Sequence, residues 1–534
     1  MAIQHLSYQQ TGYFSKLVTD YLNQSSNLEG LYRYVGSFDG IKEAINDRKN
    51  YKTDRVLLRN QLQQQYDGVV LTPKQKHNLD SLLNEHVFTV TTAHQPNIFT
   101  GPLYYIYKIV YAIKMADELN IRFPENHIVP IFYIGSEDAD LDELNHIFLK
   151  EEKIVWNTNQ TGAVGRMQVD DSLIKLIDNI YGQLGVYPYG KEIKERFQKA
   201  YQKCSTIAEA TFTLLNDLFK DSGLLIINPD NTAFKRSFIP VIEKEIKEQF
   251  SLAALQPAKQ QLEKHYKVQA AGRAINLFYL TDNKRERIEI GSQADGQTVY
   301  KIHNSTLTFT LEELLKEVNN YPERFSPNVI LRGLLQETIL PNLAYIGGGG
   351  ELAYWLELKE VFSQAKVFYP MLLLRNSFLI YNVHQQELMN KLGLQVIDLF
   401  SSAETLLNNY VNTHSKTDLT LNKELQDLET LYRSIYQKIK DQDRTLAVHL
   451  EALLAKHKNK LVDLEKKIFK SQKRKFSDTA QQINKLKQQL FPNNELQERV
   501  YNFSTCYSKF GEAFLTTIYN ATEVFGKEFL IVQG

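Results

Sequence analysis

The chain has 534 residues, more than one ordinary hydrophobic core serves, so roughly two to four structural units are expected. Hydrophobic residues make up 43%, with 30 Tyr and 28 Phe, which excludes a largely disordered chain and supplies a sizeable core. Lys plus Arg (62) balances Asp plus Glu (62), and a net charge of zero argues against a protein that coats nucleic acid or an anionic membrane through its overall field.

Residues 1–85 read as a polar, mainly helical segment joined to the core, with Pro73 at a first-turn position ahead of helix formers from 74 to 85. Residues 86–92 are a β-branched and aromatic run, expected as a buried strand. Turn chemistry follows at 93–97 and 100–102, then a helical pattern over 103–118 and a second strand at 128–134. Strand, turn, helix and strand in that order make a βαβ unit, so the fold class is α/β with a Rossmann-type parallel sheet. Residues 224–228 and 367–374, the latter interrupted by Pro370, are expected in the same sheet. The core thus runs over 86–245 and 341–415. Between them, 246–340 reads as an insertion, in which 276–280 and 287–291 flank Asp282-Asn283 as a hairpin.

From 416 to 492 the pattern is a coiled coil. Apolar residues fall at 421, 425, 428, 432, 435 and 439, return at 461, 464 and 468, and recur at 476, 480, 483 and 490. Asp441-Gln442-Asp443 marks a break or a turn, so one long helix and an antiparallel pair both fit, serving self-association or an intramolecular hairpin. Residues 493–534 are expected to return to the core. No run of about 18 apolar residues occurs, so no membrane span is expected. The N-terminus lacks the charged and apolar regions of a signal peptide, and the only cysteines, Cys204 and Cys506, make no metal spacing. A reducing cytoplasm is the expected compartment.

Three constellations can carry chemistry. The first, from Ala93 to Tyr104, follows the first strand and opens a helix. His94, Gln95 and Asn97 offer donors to a phosphate or carboxylate there, or the segment is an ordinary capped turn. The second, Gly135 to His146, carries Glu137, Asp138, Asp140, Asp142 and Glu143 at the end of the second strand. Such crowding calls for a cation and raises some carboxyl pKa values, which suits a general base; an acidic helix start is the plain alternative. The third is Gly347-Gly348-Gly349-Gly350-Glu351 with Tyr354 and Trp355, preceded by Arg332. Backbone can approach a ligand closely at such a run, but no Walker lysine follows. Arg332 reads equally as a structural ion-pair partner and as a bidentate ligand for carboxylate or phosphate. The basic run Lys466 to Lys475 reads as a solvated helix face.

The strings His94-Gln95-Pro96-Asn97-Ile98-Phe99-Thr100-Gly101-Pro102-Leu103-Tyr104 with Tyr107-Lys108, Ser136-Glu137-Asp138-Ala139-Asp140, Asn276-Leu277-Phe278-Tyr279, Gly347-Gly348 through Trp355, and Gln497 to Phe503 resemble the bacillithiol-synthesis cysteine-adding enzymes. They run in order from about residue 90 to the C-terminus. The resemblance implies a core related in shape to class I aminoacyl-tRNA synthetases and other nucleotidyl-transferase folds, connecting-peptide insertions, and a coiled coil that makes a homodimer. It implies a ligase that joins cysteine to the amine of glucosaminyl-malate. Amide formation from a free carboxylate needs activation, so ATP (leaving as ADP or AMP), with Mg2+, is the expected co-reactant on chemical grounds. Neither nucleic acid nor membrane is an expected partner. On that reading His94, Glu137, Asp138 and Asp140 are catalytic. His94, Gln95, Asn97, Gly347, Gly348, Gly349 and Asn502 hold the nucleotide, and Arg332, Glu351, Tyr354, Trp355 and Arg375 hold the other substrates. No protein metal ligands are expected. Another ATP-dependent amide ligase or nucleotidyl transferase, and a non-catalytic coiled-coil assembly protein, are the alternative readings.

Overall fold

The computed structural model describes residues 3–150, 152–292, 297–416, 418–440 and 444–533. The run that begins the sheet is β1 (Val87–His94), buried at every position except His94. It is joined by β2 (His127–Ile134), β3 (Leu225–Ile227), β4 (Asn342–Gly347) and β5 (Met371–Leu374), all parallel, in the spatial order β5-β4-β1-β2-β3. Both faces of this sheet are covered, so its strands read as continuous apolar runs rather than as alternation. Phe88, Val90, Ile128, Leu343, Ile346, Met371 and Leu373 pack with Ile41 and Ile45 and with Tyr111, Met115 and Leu119 of helix α1 (Tyr104–Arg122).

The order reverses between β1 and β4. Chain direction runs β1, β2, β3 to one side and then β4, β5 to the other, which opens a crevice at the carboxyl ends of β1 and β4. β4 is a strand that periodicity hardly announces, since it is short and ends in glycine. Hydroxyls fix its pairing: Thr89 and Thr91 both donate to Asn342 Oδ1 (3.2 and 2.9 Å), and Thr92 donates to the Ile346 carbonyl (2.8 Å). β5 begins only after Pro370, which has no N–H to give to the ladder.

The 276–291 hairpin forms as expected, with Phe278 opposite Arg287 and Thr281 opposite Lys284. It belongs to a five-stranded antiparallel sheet that also takes in Thr298–Ile302, Thr308–Phe309 and Phe325–Pro327. The first 85 residues are mainly helical, but Ile3–Ser7 is a strand that pairs antiparallel with Glu528–Gln533.

Two compact units result: Met1–Leu379 with Glu495–Val532, and Ile380–Asn494 with the last two residues. In the second, α3 (Asn422–Ile439) and α4 (Arg444–Lys475) lie antiparallel. Glu429 ion-pairs with Lys458, Tyr432 Oη shares a 2.7 Å hydrogen bond with His457, and the Leu421 amide donates to Glu465 (2.7 Å). The coiled-coil pattern therefore folds back as a hairpin; Asp441-Gln442-Asp443, read as its break, lies outside the described residues. α5 (Ser477–Leu490) then packs Ile483 against Leu392, Leu406 and Val411. No described helix is long and apolar enough to cross a membrane.

Leu343, fully buried in β4, tests the weight of that strand. Leu343→Ala is expected to lower unfolding free energy by about 2–5 kcal/mol in a denaturant titration.

Candidate active site

A cavity of about 670 Å³ opens at the carboxyl ends of the parallel strands. His94 and Gln95 reach it from the end of β1, Gly135 to Asp138 from β2, and Pro229 from β3. Gly348 to Glu351 enter from β4 and Arg375 from β5, while Phe278, Arg285 and Arg287 come from the antiparallel sheet. The three segments singled out in the sequence therefore meet on one wall system.

The segment from Asn97 to Gly101 is built under strain. Phe99 and Thr100 have φ of 49° and 70°, and Gly101 follows at 60°, where any Cβ would collide with Asn97. Positive φ in non-glycine residues costs about 1–3 kcal/mol each unless neighbours over-determine it. Asn502 does so, because its Nδ2 donates to the carbonyls of Phe99 (2.8 Å) and Gly101 (2.6 Å). Asn502, expected at the nucleotide, is thus fully buried and structural, and Asn97 is buried with its Nδ2 on the Glu143 carbonyl (3.3 Å). Trp355 is likewise inside the core, stacked on Tyr345 at 4.4 Å between centroids. Gly347 closes β4 behind the wall, and Asp140 is exposed away from it.

Behind the glycine run sits a buried ion pair. Lys108, from α1, lies 2.5 Å from Glu351 Oε2 and donates to the Ala93 carbonyl at 2.6 Å. Burial alone would raise the Glu351 pKa, but Lys108 and the Gly348 N–H outweigh it and hold the carboxyl at about 2. Glu351 accepts that N–H at 2.8 Å, so the glycine turn caps itself, and α2 (Gly349–Trp355) is a helix of only seven residues. Gly348, expected with Gly347 and Gly349 to hold the nucleotide, therefore has its N–H already taken by Glu351. His94 Nδ1 is 3.5 Å from the Lys108 ammonium, which places its own proton on Nε2. Burial and the Lys108 charge lower the His94 pKa to about 3, so the ring is neutral, and Nε2 has no protein partner.

Of the acidic cluster, Glu137 lines the cavity but is ion-paired to the fully buried Lys235, which also donates to the Phe325 carbonyl at 2.8 Å. Burial raises its pKa against the pull of that lysine. Asp138 accepts from Gln95 Nε2 at 2.8 Å and is the one cavity carboxylate with no cation on it among the described residues.

The walls carry six arginines, 273, 285, 287, 332, 375 and 499, against three carboxylates, two of them already neutralised by lysines. Arg375 is committed: Glu498, itself fully buried, takes both its terminal nitrogens at 2.8 and 3.1 Å. Its Nε is buried without a hydrogen-bond partner among the described residues. Arg332 differs. Its contacts are neutral, Gln336 Oε1 at 3.3 Å and the hydroxyls of Tyr345 and Tyr354 at 3.4 and 3.3 Å, and among the described residues no carboxylate lies within ion-pair distance. Arg285 lies over the Phe278 ring at 4.0 Å and donates to Ser326 and the Pro327 carbonyl. Arg285 also feels the charges of Glu137 and Asp138, whereas half-buried Arg332 has no carboxylate on it among the described residues, and a ligand anion would offset the cost of desolvating it.

The models for bacillithiol biosynthesis BshC match throughout: the N-terminal Rossmann-like domain over residues 1–376 and the C-terminal coiled-coil domain over 378–533. The chain belongs to the BshC family. Relatives named "Putative cysteine ligase BshC" are 39% identical in Flavobacterium johnsoniae (95% of each chain), 38% in Flavobacterium psychrophilum (99% of each) and 35% in Christiangramia forsetii (99% of this chain, 98% of that one). An arginyl-tRNA synthetase structure from Campylobacter jejuni aligns over 84% of this chain and 97% of its own at 10% identity, with a TM-score of 0.21 that is too low to speak for a shared fold.

In this BshC chain the Rossmann-like segment supplies nearly all of the cavity, and the returning stretch 495–532 supplies Arg499 and the buried Glu498 and Asn502. Lys108, Lys235, Arg285, Arg287 and Glu498 carry much of its electrostatics, although no site role was expected of them. Lys108 alone had a local signal, a lysine on the apolar face of α1. Asn502→Ala, which strips two buried carbonyls of their donor, is expected to cost about 2–3 kcal/mol of stability by chemical denaturation. The His94 imidazole should stay neutral throughout the mildly acidic and neutral range, charging only as pH approaches about 3; its 15N shifts in a pH titration read this directly.

Proposed function

We propose that this protein is a cysteine ligase of bacillithiol biosynthesis, forming the amide between the cysteine carboxyl and the glucosamine amine of glucosaminyl-malate. Membership of the BshC family and the names of its relatives support the reaction class. The observation that carries the substrate assignment is Arg332, a half-buried guanidinium that lines the cavity and hydrogen-bonds only to neutral groups among the described residues. Glucosaminyl-malate brings two carboxylates, and Arg332, with Arg285 beside the antiparallel sheet, is the complement they need. Arg375 adds to the positive field of the wall.

Asp138 holds the cysteine ammonium or takes the proton that the attacking amine loses, a role open to it because no lysine neutralises it. Glu137 and Glu351 keep their lysines and act as fixed parts of the wall. His94, neutral, offers Nε2–H as a donor to a developing negative oxygen. A free carboxylate must acquire a leaving group before an amine can displace it, and ATP with Mg2+ supplies that chemistry. The cavity has room for a nucleotide, and its excess of arginines suits a polyanion. The Gly349 and Gly350 amides and His94 Nε2 are the groups we assign to its phosphates. Holding the amine and the activated carboxyl together supplies the proximity advantage, up to about 7–11 kcal/mol in favourable cases.

We further place the reaction in the cytoplasm and a homodimer contact on the α3–α4 hairpin, where Leu431, Leu446, Val448 and Leu464 are exposed on the separate chain.

Purified protein given cysteine, glucosaminyl-malate, ATP and Mg2+ is expected to yield the amide with cysteine-dependent nucleotide turnover; absence of both rejects the ligase. Arg332→Met is expected to lower kcat/KM for glucosaminyl-malate roughly 10- to 150-fold, mainly through KM, with a much smaller effect on cysteine.

A further inference from the structure

One buried acid behind the cavity has no part in the chemistry above. Glu337 is 2% exposed on the helix that carries Arg332. Its Oε1 accepts from Gln336 Nε2 (2.8 Å) and Asn342 Nδ2 (2.8 Å), while its Oε2 is buried with no partner. Gln336 passes the contact on, because its own Oε1 accepts from Arg332 Nη1 at 3.3 Å. Two cations face Glu337: Arg332 on its own helix and Arg48 from Phe38–Arg48. Arg48 donates to the carbonyls of Tyr51 and Leu340 and to Thr53 rather than to any carboxylate. The other neighbours in hydrogen-bond reach, Asn342 and, behind it, Thr89 and Thr91, are neutral.

We propose that Glu337 is a positioning residue which, through Gln336, sets how strongly Arg332 attracts the anionic substrate, so that the protonation state of Glu337 tunes substrate affinity. The proposal rests on the assignment of Arg332 given above. Neutral Glu337 leaves Arg332 an unopposed cation. Ionised Glu337 draws the Gln336 amide to itself and offsets the guanidinium charge from behind, which weakens the hold on a ligand in front. Burial raises the carboxyl from its ordinary 4.5 to about 7, against the hydrogen bonds and the two arginines, so the change falls at neutral pH. Affinity is then high on the acid side of neutrality and falls as pH rises through about 7.

The linkage sign gives an independent readout. A folded-state pKa above the unfolded value means that the native chain binds the proton more tightly. Stability from this group is full below 4.5 and is lost as pH climbs to about 7. Glu337→Gln, which imitates the neutral acid, should lack that loss. Calorimetric titration of glucosaminyl-malate into the full chain at about pH 6 and about pH 8 should show weakening on the order of fivefold beyond that of Glu337→Gln. The ligand amine titrates alike in both proteins, so the difference isolates Glu337. Gln336→Met should keep the fall in melting temperature but lessen the extra pH dependence of binding, leaving only the direct attraction between Glu337 and Arg332. Identical pH dependence of binding in wild type and Glu337→Gln overturns the proposal, as do parallel melting curves. Binding that Arg332→Met leaves unchanged instead overturns the substrate assignment beneath it.

Discussion

The Lys108–Glu351 pair is the constraint from which the site follows. It spans the crevice where the strand order reverses, tying the helix after β1 to the glycine turn after β4. Its lysine is also hydrogen-bonded to the Ala93 carbonyl at the end of β1, so one ammonium fixes three pieces of backbone. Burial and then the same charge keep His94 neutral, and the ammonium fixes the nitrogen that carries its proton. Removing one partner from such a pair leaves a bare buried charge, at a cost of about 3–5 kcal/mol.

Three ion pairs around the cavity follow one logic. Lys108 neutralises Glu351, Lys235 neutralises Glu137, and Glu498 takes the outward nitrogens of Arg375. Buried pairs contribute little net stability over apolar packing. What they do here is leave Asp138 as the cavity carboxylate without a salt bridge, while of the cavity arginines only Arg375 has one among the described residues. The Arg332 guanidinium is kept by neutral hydroxyls and tyrosine rings, which hold its position without quenching its charge.

What the sequence showed and what it hid divide along sequence separation. The β1 run, its turn, the acidic loop and the glycine run were legible because each is local: a strand pattern followed by residues that turn or carry charge. Their meeting on one cavity follows from parallel strands sharing one end. The partners were not legible. Glu137 and Lys235 are 98 residues apart, Arg375 and Glu498 are 123 apart, and Asn502 reaches Phe99 across 403. Asn502 and Trp355 drew attention as polar or aromatic members of shared motifs, yet their burial shows that such motifs also record packing. β4 is hard to read for a related reason, since its pairing is fixed by hydroxyls on β1 as well as by its own short apolar run. The heptad spacing announced helices, but only cross-contacts such as Tyr432 to His457 show that they fold back.

The course of the chain gives the last step. It leaves the Rossmann-like body just after Arg375 and returns at 495. Glu498 binds Arg375, the Ser377 hydroxyl and the Phe378 amide, so the outgoing and returning segments are clasped by one carboxylate. Four residues on, Asn502 holds the strained loop beside His94. The return segment therefore completes the site that the first 376 residues outline, and a Rossmann-like body cut before 495 would keep its sheet while leaving Arg375 unpaired and the Phe99 to Gly101 turn without its donor. The coiled-coil unit is thus inserted in the chain between Leu379 and Glu495, within a few residues of Arg375 and Glu498.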